Sequence, residues 1–146
     1  MWITKKTDYA CRALLVLSIE SDALLKLQEI ATRAQVPISF LEQIMPQLRG
    51  AGLVRSERGP SGGYRLNHAP AEITLDRVVR IFQGPVAPIA CATRNAPESC
   101  LMEVGCSLQE TWQEVRDATI EILERTTFAV LAERAGGRWL AGVGTD

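Results

Sequence analysis

The chain has 146 residues, 47% hydrophobic and 23% charged, with a net charge of −1. That composition fits one globular domain with appended elements and excludes a disordered or low-complexity chain. With no apolar run of membrane-spanning length and no secretory signal, a cytoplasmic protein with reduced thiols and no membrane partner is expected.

Residues 4–20 read as a first helix, with Ala10, Ala13, Leu14 and Leu17 at helical spacing. Asp8 and Cys11 lie three apart and share a face. A short amphipathic helix comes next over Lys26 to Val36, turning Leu27, Ile30, Ala31 and Ala34 inward. Val36-Pro37-Ile38 makes the break, and the next helix has Phe40, Leu41, Ile44 and Leu48 as its apolar stripe. Pro46 deprives the Glu42 carbonyl of its helical donor, so a bend or an early end is expected there, at about 3 kcal/mol unless packing compensates. Two short helices across a tight turn suit a helix-turn-helix, or equally an ordinary helical hairpin.

Residues 50–66 separate those two possibilities. Gly50-Ala-Gly52 stops the helix, and Leu53 to Arg58 and Tyr64 to Leu66 alternate as strands around Gly59-Pro-Ser-Gly-Gly63. A helix-turn-helix joined to a glycine-tipped hairpin with Arg55, Arg58 and Arg65 is a winged helix. Arginines beside such a tip can approach DNA phosphates or a minor groove closely. The charge distribution agrees: residues 1–83 hold 11 Lys/Arg and 8 Asp/Glu, whereas residues 84–146 hold 5 and 9.

Thr74 is expected to cap a helix over Leu75 to Gln83, with Val78, Val79 and Phe82 apolar and Gly84 as its stop. Beyond it lies a loop with three of the four cysteines, Cys91, Cys100 and Cys106, interrupted by Pro97 and Gly105. Three thiols on one polar loop point to metal, since thiolates are soft ligands suited to zinc or iron–sulfur clusters. The competing readings are cysteines without a joint role, or thiol redox sensors. Ser107-Leu-Gln-Glu110 has the form of a capping box, which puts Cys106 one residue before the cap. The helix dipole there favours an anionic ligand, and Glu110 partly opposes it.

The long helix after the loop carries Leu108, Trp112, Val115, Thr119 and Ile122 at spacings of four and three, with Ile120 and Leu123 widening the stripe. Such a seam, with little chain left to cover it, reads as an interface between two copies or as packing on its own domain. A short helix restarts at Thr126 or Thr127 and runs through Glu133. The chain thus divides into a DNA-binding domain (1–83), a cysteine loop (84–107), a dimerisation helix with a short terminal helix (108–134) and a flexible tail (135–146). The fold class is mainly α with a small β-hairpin.

These residues resemble a family of small bacterial winged-helix regulators typified by the iron–sulfur assembly regulator IscR and the nitric-oxide-sensing repressor NsrR. The marks are Thr7-Asp-Tyr-Ala10, Phe40-Leu-Glu-Gln43, Leu48-Arg-Gly-Ala-Gly-Leu-Val54, Arg58-Gly-Pro-Ser-Gly-Gly-Tyr-Arg65, Glu72-Ile-Thr-Leu75 and the cysteine loop. The resemblance spans residues 1–134 and implies a homodimer on a double-stranded DNA operator. It implies an iron–sulfur cluster on Cys91, Cys100 and Cys106, with 2Fe–2S favoured over 4Fe–4S. The eight-residue gap between the first two cysteines is longer than the family commonly has. IscR-like members add a histidine where this chain has Gln109, and its one histidine, His68, lies beyond the wing. Some NsrR-like members use an aspartate from the partner's first helix, which implies Asp8 as fourth ligand, with Cys11 as alternative. The resemblance also implies base reading by Ser39, Glu42 and Gln43 of the second helix and by Arg58 of the wing. Gln pairs with adenine, Glu accepts from cytosine, and Arg suits guanine or a narrow minor groove.

Overall fold

A computed structural model describes residues 3–94, 99–102 and 104–136. Those residues form six α-helices and one hairpin: α1 (Lys5–Ile19), α2 (Leu27–Ala34), α3 (Ile38–Gly50), β1 (Val54–Glu57), β2 (Gly63–Leu66), α4 (Leu75–Gln83), α5 (Ser107–Arg125) and α6 (Phe128–Ala135). Short 3-10 helices cover Pro70–Glu72 and Ala90–Ala92. No helix among the described residues is long and apolar enough to cross a membrane.

α1 is the central post. Thr4 caps it by accepting from the Thr7 amide at 3.2 Å, and Ala10, Ala13, Leu14 and Leu17 are all within 1% of full burial. α2 ends at Gln35, whose φ of 52° is left-handed, and the Val36 amide returns to the Ala31 carbonyl at 3.0 Å. That reversal, with Pro37 as the cap of α3, sets the two helices of the turn.

In α3 the buried stripe is Leu41, Ile44, Met45 and Leu48, spaced three, four and seven along one face. Phe40 does not belong to it, contrary to expectation. It lies about 100° round from Leu41 and stays 36% exposed, meeting Tyr9 edge to face with ring centroids 5.0 Å apart. Nor does Pro46 shorten the helix, which runs on to Gly50. The pyrrolidine is exposed, and its fully buried neighbours Ile44, Met45 and Leu48 hold the turn.

The hairpin is antiparallel, with Arg55 opposite Arg65 and Glu57 opposite Gly63. Leu25 adds a further rung: it accepts from the Tyr64 amide at 2.7 Å and donates back at 3.0 Å. The approach explains Gly63, since a Cβ there would stand 2.5 Å from the Leu25 carbonyl oxygen.

α4 matches the expectation residue for residue, capped by Thr74 and stopped by Gly84 at φ 76°. Its two adjacent valines serve different cores. Val78 joins the main cluster around α1, while Val79 joins Val86, Ile120 and Leu123 in a second one beneath α5. Ile120 and Leu123 therefore do not widen the seam of α5; they fasten it to α4. The segment between α5 and α6 pairs with the entry to α4, Leu75 donating to the Thr126 carbonyl at 2.8 Å and Phe128 to that of Ile73 at 2.9 Å. Thr127 caps α6, and Phe128 is wholly buried in the main core. Of the tail, Ala135 ends α6 and Gly136 caps it; residues 137–146 lie outside those described.

Candidate functional site

Ser39, Glu42 and Gln43 occupy the first two turns of α3, on the face opposite its buried stripe, and all three are exposed. The helix is held against the wing at its far end. Arg49 donates to the Ser56 hydroxyl at 3.3 Å, and Asn67 donates to the Gly52 carbonyl at 3.1 Å. Arg77, from α4, donates to the Ala51 carbonyl at 3.0 Å. Three side-chain bonds thus tie the end of α3 to the wing and to α4.

On the wing, Arg55 and Arg58 are exposed and form no ion pair among the described residues. Arg65 differs: it is half-buried, with its Nε 3.4 Å from Glu57. Two further cations escaped the sequence reading. Lys26 at the start of α2 and Arg49 at the end of α3 join Arg58 around an open hollow of about 560 Å3 floored by Gly62 and Gly63. No periodicity signals them, because three separate elements bring them together. The arrangement sets an exposed polar face of α3 beside three cations and Glu57, a layout that suits contact with a phosphate backbone.

All four cysteines are free thiols. Cys91 lies in the 3-10 turn Ala90–Ala92, and with Cys100 it lines an open hollow bordered by Ile89, Ser99 and Leu101. Cys106 itself is the N-cap of α5, with extended backbone and no side-chain cap bond, and Ser107 is the first helical residue. The expected Ser107–Glu110 capping box therefore does not form: Gly105, at φ 84°, turns the chain so that helical backbone already begins at Ser107. At Cys106 the carbonyl, not the side chain, accepts from the helix, from the Gln109 amide at 3.3 Å. The dipole argument for Cys106 gains from this, since its Cα now adjoins the first turn.

A polar brace pins the Cys91 turn to α5. Arg116, its side chain 12% exposed, donates to the Ala92 carbonyl at 2.6 Å and to Asp117 Oδ1 at 2.8 Å. Arg94 donates to that same oxygen from Nε at 3.2 Å and Nη2 at 2.8 Å. Hydrogen bonds from Arg116 and then Arg94 hold the Asp117 carboxyl down at about 2.

The fourth-ligand candidates lie elsewhere in the chain. Asp8, on α1, pairs with Arg12 at 2.9 Å and is 46% exposed. Burial, and then the Asp8 charge, push the Cys11 thiol up to about 12, which disfavours its thiolate. Among the described residues no three His, Cys, Asp or Glu side chains of one chain gather closely enough to hold a metal. The structure thus brings Cys91 and Cys100 to one hollow and does not bring Cys106 or Asp8 into a common site with them.

The face of α5 away from α4 exposes Leu108 (61%), Trp112 (38%), Val115 (42%) and Ile122 (51%). These are four of the five seam residues.

Residues 3–134 match the Rrf2 model, described as an iron-dependent transcriptional regulator. The chain belongs to the Rrf2 family. An rrf2-like helix-turn-helix transcriptional regulator of Rhodobacter capsulatus is 39% identical over 133 residues, covering 86% of this chain and 89% of the relative. The transcriptional regulator IscR of Aliivibrio salmonicida is 32% identical over 132 residues, covering 90% and 77%. Among solved structures, CymR, the global cysteine regulator of Bacillus subtilis, superposes with a TM-score of 0.79 at 31% identity, covering 92% of this chain and 98% of CymR. This Rrf2 protein is a DNA-binding transcriptional regulator with a winged-helix fold, and not an enzyme.

Proposed function

We propose that the regulator works as a homodimer whose operator affinity depends on the state of an iron–sulfur cluster. Cys91, Cys100 and Cys106 would hold it, with Asp8 of the partner subunit as fourth ligand and 2Fe–2S favoured as its form. The observation that carries this reading is the set of three free thiols on one arm, two lining a common hollow and the third at the dipole-positive end of α5. The donor set fits the group: soft thiolates with a hard carboxylate able to complete it. Residues 1–83 act as reader, 84–107 as sensor arm and 108–134 as the dimerisation segment.

Ser39, Glu42 and Gln43 would read base edges in the major groove, with Arg58 and Arg55 at the wing and Arg65 in support through its pairing with Glu57. The exposed seam of α5 supports pairing with a second copy, because four large apolar side chains at coiled-coil spacing stand in water otherwise. A bound cluster supplies a centre that oxygen, nitric oxide or iron shortage can alter. The chain supplies the coupling, since the arm that would hold the cluster abuts α5, and α5 is fastened through Ile120 and Leu123 to α4 of the reader. Only unequal cluster stability between DNA-competent and incompetent forms can drive such a switch.

A second reading keeps the DNA-binding regulator and makes the cysteines thiol sensors or zinc ligands. The structural likeness to a cysteine regulator favours it. Anaerobic purification with a visible absorbance spectrum and iron and sulfide counts separates the two. Coloured protein with about equal iron and sulfide supports the cluster; colourless protein lacking both rejects it.

A further inference from the structure

The three proposed thiol ligands are held to very different degrees. Cys106 is the cap that opens the first turn of α5. Cys91 sits in a 3-10 turn whose last residue, Ala92, is completely buried and whose carbonyl receives the 2.6 Å bond from Arg116. Arg116 is in turn fixed by Asp117, on which Arg94 also converges, so the Ala92–Arg94 stretch beside Cys91 is tied to the middle of α5. Cys100 is exposed. Among the described residues its only bond is a 3.5 Å contact from the Met102 amide, and the side chains beyond it, Leu101 and Val104, stand fully in solvent.

None of the brace bonds involves a sulfur atom. We infer that Arg116 and Asp117 are positioning residues that keep Cys91 on α5 with or without a bound centre, leaving Cys100 as the ligand that departs when the centre is lost. The inference rests on the cluster reading for its purpose, and on the geometry of the metal-free chain for its substance. Cluster loss then does not release the arm as a whole: the α5 end stays docked and only the Cys100 segment changes partners.

The test uses the full-length, reduced, metal-free protein under argon, pulsed with iodoacetamide, with each cysteine followed by peptide mass spectrometry. In the wild type, Cys100 is expected to be modified several-fold faster than Cys91. Asp117→Asn and Arg116→Gln are expected to speed Cys91 several-fold while leaving Cys100 and the core thiol Cys11 unchanged. Asp117 is exposed at the helix surface, so its substitution guards against the chance that loss of Arg116 disturbs folding. An unchanged Cys91 rate in both variants overturns the brace, and so does equal acceleration at every cysteine, which signals general loosening. The cluster reading is judged separately, by iron and sulfide content of the wild type after anaerobic reconstitution. Where wild type loads, the variants are expected to lose iron to a chelator several-fold faster, with operator binding of the metal-free forms unchanged. Equal iron loss across all three proteins overturns the positioning role even if alkylation shifts.

Discussion

The winged-helix half of this regulator and the half made of the cysteine arm and α5 are finished by different means. Around α1, chain-encoded hydrophobic patterns close on themselves: Leu14, Leu41, Ile44, Leu48 and Phe128 are all fully buried. Along α5 and the cysteine arm the same kinds of side chain are left in water, from Leu101 and Val104 to Leu108 and Ile122. Several large apolar side chains exposed along one helix face usually mark an interaction surface. The winged-helix half buries its apolar faces within one chain, whereas the α5 half leaves several of its own exposed.

The sharpest way to break the comparison is inside the reader. Phe128→Ala removes a wholly buried ring that anchors α6 in the core around α1 and is expected to cost about 3–5 kcal/mol in urea denaturation. Ile122→Glu tests the opposite side. Its side chain is half in solvent, so monomer stability should move by no more than about 0.5 kcal/mol, while self-association in sedimentation weakens by about 2–3 kcal/mol. A variant that stays dimeric sinks the seam as the interface.

Gly63→Ala sets a Cβ against the Leu25 carbonyl and should destabilise the wing by about 2 kcal/mol, read as faster amide exchange in β2. Arg58→Ala is expected to leave the fold intact and to weaken operator binding by about 1–2 kcal/mol, measured by fluorescence anisotropy at fixed salt. The smallest effect concerns Asp117. Its folded carboxyl is lowered from 3.8 to about 2, so the stability it adds is present above pH 4 and fades as pH falls towards 2. Asp117→Asn should flatten that part of the acid-stability curve; an unaltered curve means the brace is not formed in solution.

How far each half is legible in the sequence obeys the same division. Thr74, the valines of α4 and the stripe of α1 are local signals, and they suffice because local periodicity and core burial agree there. Phe40 misleads because an apolar residue at the border of a stripe resembles its members. Met45, which replaces it in the core, carries the correct four-residue spacing from Leu41. The pairing of Leu25 with Tyr64 and of Thr74 with Thr127 leaves no trace in composition, since each joins segments far apart in sequence. The hollow around Lys26, Arg49 and Arg58 is hidden for the same reason. The cysteines are visible as a set, but their unequal support depends on Arg94, Arg116 and Asp117, which read as ordinary surface charges.

The back-to-back valines of α4 carry a mechanical consequence. Val78 and Val79 are separated by about 100° around the helix axis, and each is plugged into a separate dry contact. α4 is therefore held on two faces at once, with Leu75 packed against both clusters. α4 thus joins the two cores as one rod, and its Arg77 donates to the Ala51 carbonyl at the end of α3.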